Sequence, residues 1–130
     1  MAGKDLISKK TRNELCEYFV GTTLREIETE FDNVDIECDL DFSPNISGQR
    51  RTLVHQYYHT LNWLNWSDVR KFVRLYENIL NEIEERFENE FIGEESKQLF
   101  KTLKKWIEKD GFNYHDGKLN RIGQIDLDDF

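Results

Sequence analysis

The stretch of sequence that decides the fold is SGQRRTLVHQYYHTLNWLNWSDVRKFVRLYENILNEIEERF, residues 47–87. Its apolar side chains recur every three or four residues, which is the spacing of a helix with one buried face. The pattern predicts two helices, about 49–61 and about 68–87, joined by an aromatic turn that holds Trp63, Leu64 and Trp66. We expect Ser47 and Ser67 to cap them, because a serine hydroxyl accepts a backbone N–H at a helix start.

Two shorter helices are predicted upstream. Either Ser8 or the capping box that begins at Thr11 opens the first of them, and Gly21 suits its end. Thr23 and Glu26 form a capping box for the second. Residues 34–42 then alternate apolar and acidic side chains, a period of two that predicts an extended segment with one acidic face. We expect this segment to lie along the helices or to pair with a distant strand.

Downstream, apolar spacing predicts a last helix over about 94–109. The dipeptide Asp116-Gly117 stands between two short runs, which is a strong signal for a β-hairpin with a type I′ turn. The sequence therefore predicts a mainly α fold, a compact bundle of about five helices with a small C-terminal β-hairpin. We expect residues 1–123 to form a single helical domain and residues 124–130 to be an acidic tail or the start of a linker. The predicted core is Leu15, Phe19, Leu24, Ile27, Phe31, Leu53, Tyr57, Leu61, Phe72, Tyr76, Leu80, Leu99, Leu103 and Trp106.

Length and composition limit the class of protein and its cellular location. The 130 residues suit one domain, and no apolar run approaches the length of a membrane span or a signal peptide. A cytoplasmic protein without a membrane partner is therefore expected. Cys16 and Cys38 are far apart and lack a CxxC spacing, so two reduced thiols are favoured over a disulfide.

The net charge of −8 is unevenly distributed along the chain. Residues 1–42 carry 5 basic and 11 acidic side chains, whereas residues 94–121 carry 7 basic and 5 acidic ones. Opposite charge in the first and last thirds favours docking between proteins, and the net charge disfavours a polyanion as the main partner. The candidate partner-binding residues are Asp35, Glu37, Asp39 and Asp41 on the extended segment, and Lys97, Lys101, Lys104 and Lys105 on the last helix.

A second set of cations flanks the central pair of helices. It supports an alternative function, a nucleic-acid or nucleotide-binding module that uses basic helix faces. The candidate phosphate-binding residues are Arg50, Arg51, Arg70, Lys71 and Arg74.

Catalytic and metal-binding patterns are not evident. His55 and His59 have the i, i+4 spacing of metal-binding helices, but Gln56 replaces the glutamate of HExxH and no third ligand is apparent. We expect both imidazoles to make hydrogen bonds near a helix boundary. The acids of residues 35–41 lack the glycine and the final glutamate of an EF-hand loop. A non-enzymatic protein without metal or cofactor is therefore expected, and a metal-dependent enzyme that uses His55 and His59 is a further alternative.

Several short runs together resemble a known module. They are Gly21-Thr-Thr-Leu-Arg-Glu-Ile27, Ser47-Gly-Gln-Arg-Arg51, Tyr57-Tyr58, Trp66-Ser-Asp-Val-Arg-Lys71, Tyr76-Glu-Asn-Ile-Leu80 and Asp110-Gly-Phe112. This pattern resembles the helical module at the N-terminus of bacterial abortive-infection and other anti-phage defence proteins. The bundle is also similar to the CARD-like death-fold adaptors, although those have six helices and this chain predicts five with a hairpin. The resemblance implies an adaptor or sensor module, with any toxic activity in another domain or chain.

Overall fold

The computed structural model describes residues 4–122 of the chain. Within that range the chain forms five α-helices and one antiparallel hairpin, so the predicted mainly α fold with a C-terminal hairpin is confirmed. The chain divides into two units, Met1–Leu75 and Tyr76–Phe130, which we call the N-terminal and C-terminal units. The predicted tail, residues 124–130, lies outside the described residues. The elements are α1 (Lys9–Val20), α2 (Leu24–Asp32), α3 (Gln49–Tyr58), α4 (Trp66–Glu84), α5 (Gly93–Lys109), β1 (Phe112–His115) and β2 (Lys118–Arg121).

The first two helices begin at side-chain caps. The Ser8 hydroxyl accepts the Thr11 N–H at 3.2 Å, so Ser8, and not Thr11, is the N-cap of α1. Thr23 and Glu26 form the predicted capping box of α2, with reciprocal bonds of 3.1 and 3.2 Å. These bonds satisfy backbone N–H groups that have no partner within the helix.

The predicted caps of the central helices are wrong. Gly48, at a φ of 100°, is the N-cap of α3 and makes no side-chain bond, so Ser47 stands one residue too early. Asn65 replaces Ser67 at the start of α4, because its Oδ1 accepts the Ser67 N–H at 2.8 Å. Trp66 is consequently the first helical residue rather than part of the turn. The observed ends also fall earlier than predicted, α3 at Tyr58 and α4 at Glu84.

A column of aromatic rings forms the core of the N-terminal unit. Phe31 of α2 stacks on Tyr57 of α3 with ring centroids 4.3 Å apart, and its ring is 5.4 Å from Phe19 of α1. Trp63, in the turn after α3, meets the rings of Tyr58 and Phe72 edge-on at 5.5 and 5.1 Å. Four helices, α1 to α3 and the start of α4, and the turn after α3 are therefore held by aromatic contacts, which add to the free energy of apolar burial.

The predicted extended segment lies along α3. The Asp39 N–H donates to the Gln56 carbonyl at 3.0 Å, and the Gln56 amide donates to the Phe42 carbonyl at the same distance. Val34 and Ile36 are buried as the alternation requires, but the pattern ends at Leu40, which is 74% exposed. The segment forms no β-strand in the described structure.

In the C-terminal unit, the hairpin packs beside α4 and α5. Asp116 and Gly117 have φ values of 49° and 76°, as a type I′ turn requires, so the predicted turn is confirmed. The Leu119 N–H donates to Glu77 Oε1 of α4 at 2.8 Å, and the Tyr114 hydroxyl donates to Glu84. These bonds fix the hairpin to α4 and give the buried Glu77 a partner.

Helical periodicity identifies most of the core. The buried members of the predicted set are Leu15, Phe19, Ile27, Phe31, Tyr57, Leu61, Phe72, Tyr76, Leu80 and Leu103. Leu53, Leu99 and Trp106 are half-buried. Leu24 is 38% exposed, because it stands in the first turn of α2 and borders an open groove.

Candidate functional site

An acidic groove forms where the extended segment leaves α2. Its lining includes Asp32, Asp35, Glu37, Cys38 and Tyr57, and its volume is about 620 Å³. Two of the predicted partner-binding acids, Asp35 and Glu37, therefore share one surface. The structure adds Asp32, which stands at the end of α2. Within the described residues, none of these three carboxylates forms an ion pair.

The other two predicted acids lie apart from this lining. Asp39 Oδ2 is 3.7 Å from His59 Nε2, and Asp39 Oδ1 accepts the Asp41 N–H at 3.1 Å. Asp39 directly precedes Leu40, where the alternation ends, and Asp41 directly follows it. The acidic face is thus divided between the groove and the side of His59.

Two groups that line the groove, the Cys38 thiol and the Tyr57 hydroxyl, have raised pKa values. Burial raises the pKa of the Cys38 thiol, and the charges of Asp39, Glu28 and Asp32 raise it further. The pKa of Tyr57 rises to about 12, again through burial first and then through Asp32 and its neighbours. Burial and nearby negative charge both have this effect, because each disfavours the ionised form of the group.

The rim of the acidic groove contains one basic contact. Asp35 has a φ of 59°, in the left-handed region that aspartate tolerates, and its carbonyl accepts Lys71 Nζ at 3.1 Å. Lys71 thus binds the backbone of the segment. Its ammonium therefore neutralises the rim only in part and leaves the groove acidic.

Exposed apolar side chains lie close to the acids in sequence. Leu40 is 74% exposed, and Gln56 donates to its carbonyl at 3.3 Å. Gln56 also borders a second groove of about 500 Å³ between α2 and α3, where Leu24 is 38% exposed. Ile46, at the end of the same loop, is 37% exposed. The segment therefore offers apolar as well as acidic contacts.

The predicted lysine face of α5 is partly neutralised. Lys97 Nζ is 3.5 Å from Glu94, and Lys104 Nζ is 4.0 Å from Glu108. Lys105 lies 5.2 Å from the Trp106 ring centroid, and Lys101 has no ion pair in residues 4–122. Lys101 and Lys105 are the two cations of this face that remain available to an acidic partner.

Some of the candidate phosphate-binding residues already bind other groups of the protein. Arg51 donates to both carboxylate oxygens of Glu17 at 2.8 Å, and this pairing lowers the pKa of Glu17. Lys71 binds the Asp35 carbonyl, and the Arg70 guanidinium is 5.9 Å from the Trp66 ring. Arg50 and Arg74 are exposed. Two of the five cations thus already bind groups on other elements.

A pocket lined by aromatic rings and cations was not predicted. Its volume is about 250 Å³, and it lies where α1, α3, Phe42 and the turn after α3 meet. His59 stacks on Phe42 with centroids 3.8 Å apart and planes within 2° of parallel. The Arg12 guanidinium lies 4.4 Å from the Trp63 ring and pairs with Asp5 at 2.5 Å. The lining residues are Lys9, Arg12, Asn13, Phe42, His55, Tyr58, His59 and Trp63.

His55, one of the lining residues, has an unsatisfied polar atom. Its Nε2 is buried and has no hydrogen-bond partner in the described structure, so the predicted hydrogen bond is absent at that atom. Burial lowers the pKa of His55, and the charge of Arg12 lowers it further. The imidazole is therefore neutral at pH 7.

The i, i+4 spacing singled out His55 and His59, which both line this pocket, but it did not predict the pocket itself. Lys9 and Arg12 come from α1, and no spacing along the sequence connects them with α3. Within residues 4–122, no three His, Cys, Asp or Glu side chains gather closely enough to hold a metal ion. None of the helices in that range has both the length and the apolar character needed to cross a bilayer.

Comparison with known proteins gives no relative: no family model, curated protein or solved structure matches this chain.

Proposed function

We propose that the chain is a non-catalytic protein–protein interaction module whose acidic groove docks on a basic protein surface. The observation that carries the proposal is the groove itself, where Asp32, Asp35 and Glu37 have no ion-pair partner in the described structure. Unpaired carboxylates on a concave surface steer a basic partner toward it and reject an acidic one. The neighbouring Leu40 supplies an apolar contact, which long-range charge alone does not provide.

A second copy of the chain is the first candidate partner. Lys101 and Lys105 on α5 present the complementary charge, and Glu94 and Glu108 occupy the other two lysines of that face. An acidic groove on one copy and a lysine face on the next make a head-to-tail contact, which leads to rings or filaments. Assembly of this kind suits an adaptor.

The biological setting is part of the same proposal. The resemblance to modules of abortive-infection and other anti-phage defence proteins favours an adaptor or sensor in bacterial defence, acting in the cytoplasm. Any toxic step would then belong to another domain or chain.

Sedimentation velocity with two charge-reversal variants tests the contact. Asp32→Lys/Glu37→Lys and Lys101→Glu/Lys105→Glu should each weaken self-association about tenfold, and raising the salt from about 50 to about 500 mM should do the same. An equimolar mixture of the two variants should associate again, because each contact between unlike variants restores one pair of opposite charges. Glu85→Lys/Glu88→Lys is the matched control, since it reverses two exposed acids elsewhere.

A chain that stays monomeric at low salt would exclude the second copy as partner. An amphipathic Lys/Leu helical peptide, titrated calorimetrically, then tests a different basic partner. If the Asp32→Lys/Glu37→Lys variant binds this peptide as well as the parent does, the groove is not the docking surface and the proposal is wrong.

The alternative, nucleic-acid or nucleotide binding through the basic helix faces, has weaker support. Arg51 and Lys71 are engaged by Glu17 and Asp35, and the net charge of −8 opposes a polyanion. Binding to labelled RNA or DNA that weakens steeply with salt, and further on Arg70→Gln/Arg74→Gln, would favour it over docking on a protein.

A further inference from the structure

We propose that the pocket between α1, α3 and Phe42 binds a small aromatic anion, with its ring among the aromatic walls and its carboxylate or phosphate at Lys9. Besides the two histidines, the aromatic side chains that line the pocket are Phe42, Tyr58 and Trp63. Such rings suit a planar ligand, because aromatic groups pack favourably against one another in offset or edge-on arrangements. The site is separate from the acidic groove, since the two linings share no residue.

The charge of the pocket points to an anion. Lys9 and Arg12 line it, and no acid belongs to its lining. Asp5 already pairs with Arg12, whereas the Lys9 ammonium has no hydrogen bond or ion pair in the part of the chain that the structure describes. One unpaired cation beside neutral rings suits a ligand with a single charged group.

His55, which belongs to the lining, carries a buried polar atom, Nε2, that has no hydrogen-bond partner in the described structure. A polar atom that has left water without gaining a hydrogen bond is costly, so native structures keep few of them. A polar atom on the ligand would give Nε2 its missing partner. A neutral imidazole serves as donor or acceptor, according to which nitrogen carries the proton.

The size of the pocket sets the class of ligand. About 250 Å³ lies below the usual range for the pockets of drug-sized ligands. A single ring with a short charged arm fits this space. Phenylacetate and phenyl phosphate are suitable probes, because they share the ring and differ in the anion.

Isothermal titration calorimetry with these probes tests the proposal. At least one anion should bind about tenfold more tightly than neutral phenylacetamide and cationic phenethylamine, and the better of the two anions identifies the charged group. Lys9→Gln should weaken that binding about tenfold, since it removes the cation without touching the walls. Lys10→Gln is the matched control, because Lys10 pairs with Glu14 and does not line the pocket. It should bind as the parent does.

A second variant tests the role of His55. His55→Phe keeps a ring in place and removes Nε2, so it should also weaken anion binding, with thermal unfolding used to verify the fold. No saturable binding at millimolar probe, equal binding of the neutral amide, or equal losses in Lys9→Gln and Lys10→Gln would each overturn the proposal. The Lys101→Glu/Lys105→Glu variant should bind the probe unchanged, so this test and the test of self-association fail independently.

Discussion

At the scale of single residues, His55 is the most informative titratable group. It stands in the last turn of α3, its Nε2 is buried, and Lys9, Arg12 and His59 line the same pocket. A proton added here must enter a buried site, where the charge of Arg12 also opposes it. The folded state therefore holds this proton less tightly than the unfolded chain does.

This difference predicts a pH dependence of stability. The pKa of His55 lies below its ordinary value of 6.5 in the folded state, so lowering the pH through 6.5 protonates the unfolded chain first and destabilises the fold. The loss should continue until the pH falls below the folded-state pKa. Urea unfolding between about pH 5 and pH 8 measures it. His55→Gln should flatten this acid-side slope, because it removes the titrating group. Equal slopes in parent and His55→Gln would contradict the prediction.

Two substitutions of Tyr76 separate the contributions of its ring and its hydroxyl to the free energy of unfolding. The ring is fully buried in the C-terminal unit, and the hydroxyl donates to the Leu103 carbonyl at 2.5 Å. Tyr76→Phe should cost about 1 kcal/mol of unfolding free energy, the usual net value of one hydrogen bond. Tyr76→Ala should cost about 3–5 kcal/mol, because it also leaves a cavity. Chemical denaturation measures both.

The control is an aromatic residue that is not buried. Phe91 is 89% exposed, so Phe91→Ala should change the unfolding free energy by less than about 0.5 kcal/mol. A Tyr76→Ala loss as small as that of Phe91→Ala would show that Tyr76 does not lie in a packed core.

At the scale of elements, the junction between α4 and α5 depends on Gly93. A Cβ at this position would lie 2.4 Å from the carbonyl oxygen of Phe87, and the backbone must shift to accept it. Gly93→Ala should therefore destabilise the protein by about 1–3 kcal/mol, the usual cost of overpacking. Gly21→Ala is the comparison, since its Cβ would meet only an ordinary contact at 3.5 Å and its φ is −84°. That substitution should be neutral or stabilise by up to about 1 kcal/mol. Equal melting temperatures of the two variants would show that the Gly93 contact relaxes freely.

The sequence predicted the elements well and their caps less well. Periodicity identified the five helices of residues 4–122, because one-sided burial determines where apolar residues stand. The start of α4 was misplaced, because several residues with capping side chains follow one another there. Asn65 holds the Ser67 N–H, and Asp68 Oδ2 accepts the Asn62 N–H at 2.8 Å. The choice among them depends on packing of the turn, and the local sequence does not contain that information.

At the scale of the whole molecule, the sequence predicted the acidic surface but did not predict the grooves and pockets. The alternation of residues 34–37 predicted an acidic surface, and Asp35 and Glu37 do line a groove. The alternation is broken at Leu40, because the chain turns there to reach α3. The aromatic pocket brings Lys9 beside His55 from distant parts of the sequence. Contacts of this kind arise only when α1 packs against α3.

The two thiols differ in burial, so that a thiol reagent can report whether the acidic groove is covered. Cys16 is buried and its pKa rises to about 12, so a maleimide or iodoacetamide reagent would leave it unmodified. Cys38 is only half-buried and lines the acidic groove, although its raised pKa slows the reaction at neutral pH. Labelling at mildly alkaline pH would therefore place a single fluorophore or isotope tag on the native sequence, at the surface that we assign to docking. The rate of that alkylation becomes a footprint of the groove, fast when it is empty and slow when a partner covers it.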